Sequence, residues 1–138
     1  GMVRFDHRFS DRTSIFARFN IVQGIFNEIR NDLLEPRISD VRPSQGTIQL
    51  SHVFSPSIIN ETRFGYNRSP LERTAQGVAT ESIRVGGLSS TQAQFTNIEK
   101  PTTFSILNAT SLLKGRHALK FGGELRRVRM NVGETTDT

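Results

Sequence analysis

The 138-residue sequence contains no cysteine and no tryptophan, and only one tyrosine. The absence of cysteine excludes disulfide bonds, thiolate catalysis and zinc–thiolate sites within this sequence. No stretch approaches the roughly 18 consecutive apolar residues of a transmembrane helix. Hydrophobic residues make up 35% of the sequence, below the usual share for a globular domain. Such a composition suits long solvated loops, or strands that are apolar on one face only.

Basic residues outnumber acidic ones, 18 to 13, which gives a net charge of +5. The one dense basic stretch, Arg126-Arg127-Val128-Arg129, contains no aromatic residue. Nucleic-acid binding usually requires clustered cations with interleaved aromatic side chains. We therefore interpret the positive charge as a solvated basic surface and expect no nucleic-acid partner.

Side chains that carry catalysis or bind metals do not form a recognisable motif. The three histidines, His7, His52 and His117, form no His-x-x-x-His or His-Glu-x-x-His pair. The serines at the predicted turns (Ser10, Ser55 and Ser57) have no general base beside them in the sequence. The carboxylates that lie closest together (Glu28, Asp32 and Glu35) suit the solvated face of a helix. We expect no enzyme activity, and no catalytic, cofactor-binding or metal-binding residue.

Two glycine pairs also lack the chemistry of a phosphate-binding loop. Neither Gly86-Gly87 nor Gly122-Gly123 is followed by the Lys-Ser/Thr pair that such a loop requires. The first pair suits a loop, and the second suits a strand bend or a bulge.

The sequence does contain strand patterns, of which the stretch Leu50–Arg68 is the clearest. A run to Phe54 is followed by the turn residues Ser55-Pro56-Ser57 and by a second run through Tyr66. Proline presets the backbone for a turn corner, and the residues after it are β-branched or aromatic. Alternation places Ile58, Asn60, Thr62, Phe64 and Tyr66 on one face, and Ile59, Glu61, Arg63 and Gly65 on the other.

Similar alternation predicts three hairpins, at about residues 2–22, 46–67 and 103–132. The first turns at Ser10-Asp11-Arg12 and the third at Lys114-Gly115-Arg116. Residues 23–45 and 68–101 are predicted to be long loops. Within the first loop, the spacing of Ile25, Phe26, Ile29 and Leu33 predicts one or two helical turns that Pro36 ends. Pro43 and Gly46 mark the return to strand.

The first two hairpins repeat at an offset of 45 residues. The residues of the first that recur in the second are His7, Phe9, Ser10, Arg18 and Phe19, and their counterparts are His52, Phe54, Ser55, Arg63 and Phe64. The third hairpin keeps only the later half, where Leu119-Lys-Phe-Gly122 matches Thr62-Arg-Phe-Gly65. A repeat of this length indicates an array of one supersecondary unit.

The predicted fold is all-β: an antiparallel meander of about six strands, forming a partial or small β-barrel as a single domain over residues 1–138. Short turns at one end and long loops at the other are typical of outer-membrane barrels. Aromatic girdles would have to consist of phenylalanine, because tryptophan is absent and tyrosine occurs once. The alternative is a soluble β-rich binding or adhesion module that uses loops 23–45 and 68–101 for recognition.

Three phrases resemble barrel strands of TonB-dependent outer-membrane receptors, most closely the Oar-like subgroup with a carboxypeptidase-regulatory-like domain. They are Arg4-Phe-Asp-His-Arg-Phe-Ser10 with Ile15-Phe-Ala-Arg-Phe19, Ser51-His-Val-Phe-Ser-Pro-Ser57 with Asn60-Glu-Thr-Arg-Phe-Gly-Tyr-Asn67, and Leu113-Lys-Gly-Arg-His-Ala-Leu-Lys-Phe-Gly-Gly-Glu124. They cover roughly half of the chain. The resemblance implies a barrel of roughly 22 strands closed around a plug. This sequence has neither a plug nor a TonB box.

Gly1 directly before Met2, and the ending Thr135–Thr138, lead us to expect a piece of a longer protein. The resemblance implies an outer membrane of the Gram-negative type, with the rest of the barrel, its plug, the TonB complex and membrane lipid as partners. It also implies a small ligand, an iron chelate, a glycan or a peptide. An isolated piece would expose two strand edges, so we expect it to curl into a small barrel or to form a homo-oligomer.

Overall fold

A computed structural model describes residues 1–29, 36–75 and 95–136, and every regular element among them is a β-strand. The strands, in chain order, are β1 (Met2–Ser10), β2 (Thr13–Ile21), β3 (Gly24–Ile29), β4 (Pro36–Val41), β5 (Ser44–Ser55), β6 (Ile58–Arg68), β7 (Leu71–Ala75), β8 (Phe95–Glu99), β9 (Thr102–Lys114), β10 (His117–Arg129) and β11 (Val132–Thr136). All pairings are antiparallel. The all-β, antiparallel prediction is confirmed.

The three predicted hairpins form one six-stranded sheet in the order β1-β2-β5-β6-β9-β10. Hairpins β1–β2, β5–β6 and β9–β10 follow one another across the sheet, as a meander of local pairs requires. The predicted third hairpin extends too far, because β10 ends at Arg129 and the next strand belongs to another sheet. The sheet is open, which agrees with the predicted partial barrel, whereas the other predicted form, a small closed barrel, is not formed. Its edge strands β1 and β10 each pair with one neighbour among the described residues.

The 45-residue repeat reproduces the same turn structure twice. The β1–β2 and β5–β6 ladders both shift register just before the turn, between Arg8 and Ser10 and between Val53 and Ser55. The Oγ atom of Ser10 accepts the N–H of Arg12 at 3.2 Å, and Oγ of Ser55 accepts that of Ser57 at 3.3 Å. These hydroxyls satisfy turn donors that the ladder leaves unpaired. The repeated serines therefore have a structural role at the turn.

The same repeat places a histidine edge-on to a phenylalanine ahead of each turn. The ring centroids of His7 and Phe9 are 4.7 Å apart at 81°, and those of His52 and Phe54 are 4.5 Å apart at 76°. Edge-to-face pairs of this kind are a preferred aromatic arrangement. The His-x-Phe-Ser phrase is thus one local structure used in two hairpins.

The third hairpin turns by different chemistry, because Gly115 has a φ of 59°, in the left-handed region. The register from His117 opposite Lys114 onward is unbroken, so this tight turn contains no bulge. Glycine adopts such a φ without the steric cost that a Cβ imposes.

We expect the Gly115→Ala variant to lose about 1 kcal/mol of unfolding free energy, because alanine pays the left-handed penalty. The matched variant Gly115→Asn should lose less, since asparagine tolerates this region. Denaturant unfolding of the protein in lipid vesicles measures both. Equal stability of the alanine variant and the wild type would contradict a turn that depends on positive φ.

A second sheet of five strands, in the order β11-β8-β7-β4-β3, contains most of the described residues that were predicted to be loops. Residues 23–45 contain β3 and β4, and residues 68–101 contain β7 and β8, so for the described residues the prediction of two long loops is wrong. Residues 30–35 and 76–94 of these two stretches lie outside the described part of the chain. These strands are only five or six residues long and have polar residues on both faces. That composition hides the period-two signal that identifies a half-buried strand.

The predicted helical turns are also wrong for the residues that the structure describes. Ile25 and Phe26 lie in β3, opposite Asp40 and Ser39 of β4. A short apolar run matches a strand and a helix equally well, and β-branched residues favour the strand. Pro36, predicted to end a helix, instead begins β4, a position where its missing N–H is tolerated. Leu33 lies outside the described residues.

Links of two residues join strands of the two sheets, at 22–23, 42–43, 69–70, 100–101 and 130–131. Three of them contain a proline, which cannot donate to a ladder and so interrupts the strand. The carbonyls of these prolines still accept: Pro43 from Val22 at 3.0 Å, Pro70 from Arg42 at 3.2 Å and Pro101 from Ser69 at 3.1 Å. The predicted return to strand at Pro43 is confirmed, since β5 begins at Ser44.

The chain divides into two compact units, each built around one of the sheets. The unit of the six-stranded sheet comprises Gly1–Ile21, Ser44–Arg68 and Thr102–Arg129. Among the described residues only Ala75 and Ser39 are buried, and both belong to the five-stranded sheet. No residue of the six-stranded sheet is buried, so this sheet has no hydrophobic core of its own.

Candidate functional site

The six-stranded sheet has two chemically different faces, which the register defines because paired residues share a face. We call them the apolar face and the polar face. Large members of the apolar face include Val3, Phe5, Ile15, Phe19, Ile48, Leu50, Phe64, Phe104, Ile106, Leu119, Phe121 and Leu125. The charged members of the polar face are Arg4, Asp6, Arg8, Arg18, Glu61, Arg63, Lys120, Glu124 and Arg126.

The apolar face carries no Asp or Glu in any strand of this sheet, all of whose residues are described. Its cations lie at the strand ends: Arg68 and Arg129 are the last residues of β6 and β10, Lys114 is the last of β9, and Arg127 is two residues before the end of β10. The middle of this face is therefore an uncharged band.

The width of this band suits a membrane. On β9 the strand's own residues on this face are uncharged from Thr102 to Leu112, about 34 Å at the rise of an antiparallel strand, and Arg68, Arg127 and Arg129 of the neighbouring strands flank the Thr102 end. A tilt of about 40° projects that length to about 26 Å, close to the ~25 Å apolar band of membrane barrels. Phe5 is 57% exposed and Leu125 76% exposed, and no part of the six-stranded sheet covers them. Soluble monomers rarely expose contiguous apolar patches larger than a few hundred Å².

Phenylalanine supplies most of the aromatic surface on the apolar face. Seven of the ten phenylalanines in the sequence lie there: Phe5, Phe9, Phe19, Phe54, Phe64, Phe104 and Phe121. The single tyrosine, Tyr66, also lies on this face, with its ring centroid 5.4 Å from that of Phe104. Phenylalanine therefore takes the place that tryptophan and tyrosine usually hold on a lipid-facing surface.

The polar face is connected by charge-assisted hydrogen bonds. Gln49 accepts from the guanidinium of Arg63 at 2.7 and 3.1 Å and donates to the carboxylate of Glu61 at 3.2 Å, which links β5 and β6. Arg126 donates to Glu124 at 2.8 Å along β10. Such groups are stable facing water but costly in hydrocarbon. This face suits an aqueous interior.

Arg4 at the edge of the polar face forms two favourable contacts. Its guanidinium donates to both carboxylate oxygens of Asp6, at 2.7 and 3.0 Å, and its Cζ lies 4.7 Å from the ring centroid of Phe16. A guanidinium over an aromatic face gains electrostatic attraction. Phe16, the one phenylalanine on the polar face of this sheet, thereby contacts a cation.

Four polar side chains interrupt the uncharged band and bond one another. We call Asn60, Thr62, Asn108 and Thr110 the amide cluster. The amides of Asn60 and Asn108 exchange hydrogen bonds of 3.1 Å in both directions. The second N–H of each amide reaches a threonine hydroxyl at 2.8 Å, Thr110 for Asn60 and Thr62 for Asn108. Both amide nitrogens thus use both of their donors inside the cluster, which lowers the cost of an apolar surrounding.

The amide cluster predicts a non-additive double mutant. Asn108→Leu alone should cost about 1–2 kcal/mol, because it removes two hydrogen bonds of Asn60 and leaves that amide poorly paired in an apolar surrounding. Asn60→Leu with Asn108→Leu should cost at least about 1 kcal/mol less than the sum of the single changes. Unfolding of the four proteins from lipid vesicles gives the coupling. As a control, Asn20→Leu with Asn108→Leu should be additive, and additivity of the Asn60 pair would contradict the cluster.

The histidines and serines singled out by sequence lie at strand ends and turns. Nδ1 of His52 is 2.9 Å from Oγ1 of Thr13 on the neighbouring strand, and His7 also stacks on Phe5 at 6.1 Å. His117 is the first residue of β10, opposite Lys114. Among the described residues, no group of three or more His, Asp or Glu side chains is arranged to hold a metal ion.

The remaining candidates separate in the structure. Glu28 lies in β3 opposite Arg37, whereas Asp32, Glu35 and the Gly86-Gly87 pair lie outside the described residues. Gly122 and Gly123 lie in β10, where the ladder with β9 keeps its register, so the predicted bulge is absent there. The amide cluster was not identified from sequence, because alternation groups Asn60 with Thr62 but does not reveal which residue of another strand lies opposite.

The described part of the chain contains no helix with the length and apolarity of a membrane span.

An antiparallel sheet with an uncharged apolar band on one face and a hydrogen-bonded polar face on the other is the wall of a membrane-spanning β-structure. Comparison with protein families agrees: the chain belongs to the outer membrane beta barrel domain family, whose model matches residues 1–138. It is therefore an outer-membrane protein, and it supplies part of a barrel wall. No curated protein matches the chain.

Proposed function

We propose that this chain forms part of the barrel wall of a TonB-dependent receptor that takes up a small ligand across the outer membrane. The two-faced sheet carries the proposal, because it provides a lipid-facing surface and a polar interior surface in one layer. The three phrases that resemble such receptors support it. Each phrase falls on a strand–turn–strand unit, and the three units are neighbours in the sheet.

The two ends of the six-stranded sheet have different proposed roles. The tight turns, at residues 11–12, 56–57 and 115–116, would face the periplasm, where barrels keep their connections short. Residues 23–45 and 68–101, which in the described part form short strands, would lie on the extracellular side and contact the ligand. An iron chelate, a glycan and a peptide are all compatible ligands for such a receptor.

The partners follow from this proposal. The remaining strands of the barrel would pair with the free edges of β1 and β10, because an open edge cannot be left unpaired in hydrocarbon. A plug would fill the interior, and the polar face, with Arg63 and Glu61 near its centre, would line the space around that plug. The TonB complex would act on the plug. We propose no catalytic role for the chain.

The complete reading frame and a binding experiment test the TonB step. We expect the reading frame to encode a plug ahead of this segment and further hairpins of the same kind. We expect the complete protein, purified from the outer membrane, to be retained by the immobilised periplasmic domain of TonB from the same bacterium. A barrel without a plug serves as the control. A reading frame with no plug, or no retention above the control, would contradict TonB dependence. Neither result would contradict the assignment of this chain to the wall of a membrane barrel.

The alternative of a soluble adhesion module does not fit this family. It required a chain outside the membrane, and the family of this chain is an outer-membrane one.

A further inference from the structure

The apolar face contains a concavity of about 510 Å³, which we call the apolar groove. Its walls include Ile48, Phe64, Ile106 and Leu125, and Tyr66 and Phe104 border it toward the ends of their strands. Gly46 opens the groove, because the absence of a side chain there leaves space between Phe19 and Tyr66. The walls are aliphatic and aromatic, the composition that suits a hydrocarbon chain.

Three arginines border the same end of the apolar face, and we call Arg68, Arg127 and Arg129 the arginine trio. Arg68 and Arg129 both lie opposite Thr102, one on each side of it, which places their strands about 10 Å apart. Arg127 lies opposite Phe104 and also lines the groove. The register thus groups three cations around the groove's polar end.

The arginine trio has no counter-ion among the residues that the structure describes. The arginines that form ion pairs among the described residues lie elsewhere: Arg4 in β1, Arg42 in the link before β5, Arg126 on the polar face of β10, and Arg73 in the five-stranded sheet. Arg126 shows the contrast, since it lies beside Arg127 on the polar face and bonds Glu124 at 2.8 Å. No Asp or Glu of the six-stranded sheet shares the trio's face. Arg68, Arg127 and Arg129 are exposed, so their guanidinium groups beside the apolar groove are available to an anion from outside the chain.

We propose that the apolar groove and the arginine trio together bind a phosphorylated lipid of the outer membrane. An acyl chain lies in the groove against Phe64 and Leu125, and the phosphate of the headgroup accepts from Arg68, Arg127 and Arg129. Guanidinium groups match phosphate oxygens in geometry as well as charge. The inference rests on membership of the outer-membrane family and on the register, and it does not depend on TonB.

The test compares lipids bound to the complete protein, purified from the outer membrane, by native mass spectrometry. The probes are phosphatidylglycerol, which is anionic, and phosphatidylcholine, which has no net charge, at equal concentration. We expect the wild type to prefer phosphatidylglycerol by about fivefold or more for each arginine that contacts the phosphate. The triple variant Arg68→Gln/Arg127→Gln/Arg129→Gln should lose that preference.

A matched control removes the same number of positive charges from the polar face, as Arg8→Gln/Arg18→Gln/Lys120→Gln. It should keep the wild-type preference, because these three cations lie on the opposite face and none of them lines the groove. A second variant, Gly46→Leu, fills the groove and leaves the trio intact, and it should bind less of either lipid. Heat-modifiable gel mobility confirms that each variant is folded.

Each opposite result overturns the inference. The trio does not select the lipid if the wild type shows no preference for phosphatidylglycerol. The same conclusion follows if the triple variant keeps the preference, or if the polar-face control loses it equally. Undiminished lipid binding by a folded Gly46→Leu variant would exclude the groove. Competition by inorganic phosphate as effective as that by phosphatidylglycerol would mean a site for a free anion and not for a lipid.

Discussion

An arginine at residue 106 should destabilise the protein in the membrane far more than an arginine at residue 107. Ile106 lies in the middle of the uncharged band, with Phe64 and Leu125 opposite it on the neighbouring strands. Leu107 is its chain neighbour on the polar face, opposite Arg63 and Glu124. Adjacent residues of one strand therefore compare the two faces at the same depth.

For Ile106→Arg we expect a loss of about 2–4 kcal/mol in the free energy of unfolding from lipid vesicles, the cost of an arginine near the bilayer midplane. For Leu107→Arg we expect a loss below about 1 kcal/mol, because the new cation faces the aqueous side between an acidic and a basic residue. Ile106→Leu controls for side-chain shape, and its loss of unfolding free energy should be smaller than that of Leu107→Arg. Equal losses at the two positions, or a larger loss at residue 107, would contradict the assignment of the faces.

Replacing Gly122 should disrupt the β9–β10 hairpin, whereas replacing its neighbour Gly123 should not. A Cβ on Gly122 would overlap the backbone carbonyl oxygen of Asn108 and lie 2.8 Å from Cα of Ala109. Those are main-chain atoms of the paired strand, so no side-chain movement relieves the overlap and the ladder itself must shift. A Cβ on Gly123, which points to the apolar face, meets nothing within 4 Å.

We expect Gly122→Val to cost about 3 kcal/mol or more, at the upper end of the range for overpacking, and to lower the yield of folded protein. Gly123→Val should have little effect or a small stabilising one, since valine favours a strand and adds apolar surface where the face is apolar. Heat-modifiable mobility and denaturant unfolding measure both. A Gly122→Val protein as stable as Gly123→Val would contradict the close backbone approach of the two strands.

The parts of the fold that sequence predicted are those with strong alternation and explicit turn residues. The stretch Ile58–Tyr66 is rich in β-branched and aromatic residues, and its charged residues, Glu61 and Arg63, share one face. Because Ser55-Pro56-Ser57 also marks the turn, both the hairpin and its faces were predictable. The second sheet was missed because strands such as Leu71–Ala75 are short and mixed in composition. Their identity depends on pairing with strands far away in the chain, which local pattern does not reveal.

The candidate sites show the same limit. Sequence identified Arg126-Arg127-Val128-Arg129 as one basic stretch, but the strand divides it by face: Arg126 pairs with Glu124 on the polar face, and Arg127 and Arg129 join Arg68 on the apolar face. Arg68 is 59 residues before Arg127 in the chain. Only the register across β9 brings them together, and register follows from the whole sheet.

The central claim is that one face of the six-stranded sheet contacts lipid and the other faces an aqueous interior. A nitroxide scan along β9 tests it most directly. Single cysteines at residues 103–112 carry the spin label, which is convenient because the chain has no native cysteine. Collision rates with oxygen, which dissolves in lipid, and with a water-soluble nickel chelate are measured in membranes. The account predicts a period of two, with oxygen favoured at Phe104, Ile106, Asn108, Thr110 and Leu112, and the nickel chelate favoured at the residues between them. Uniform accessibility, or the opposite phase, would contradict it.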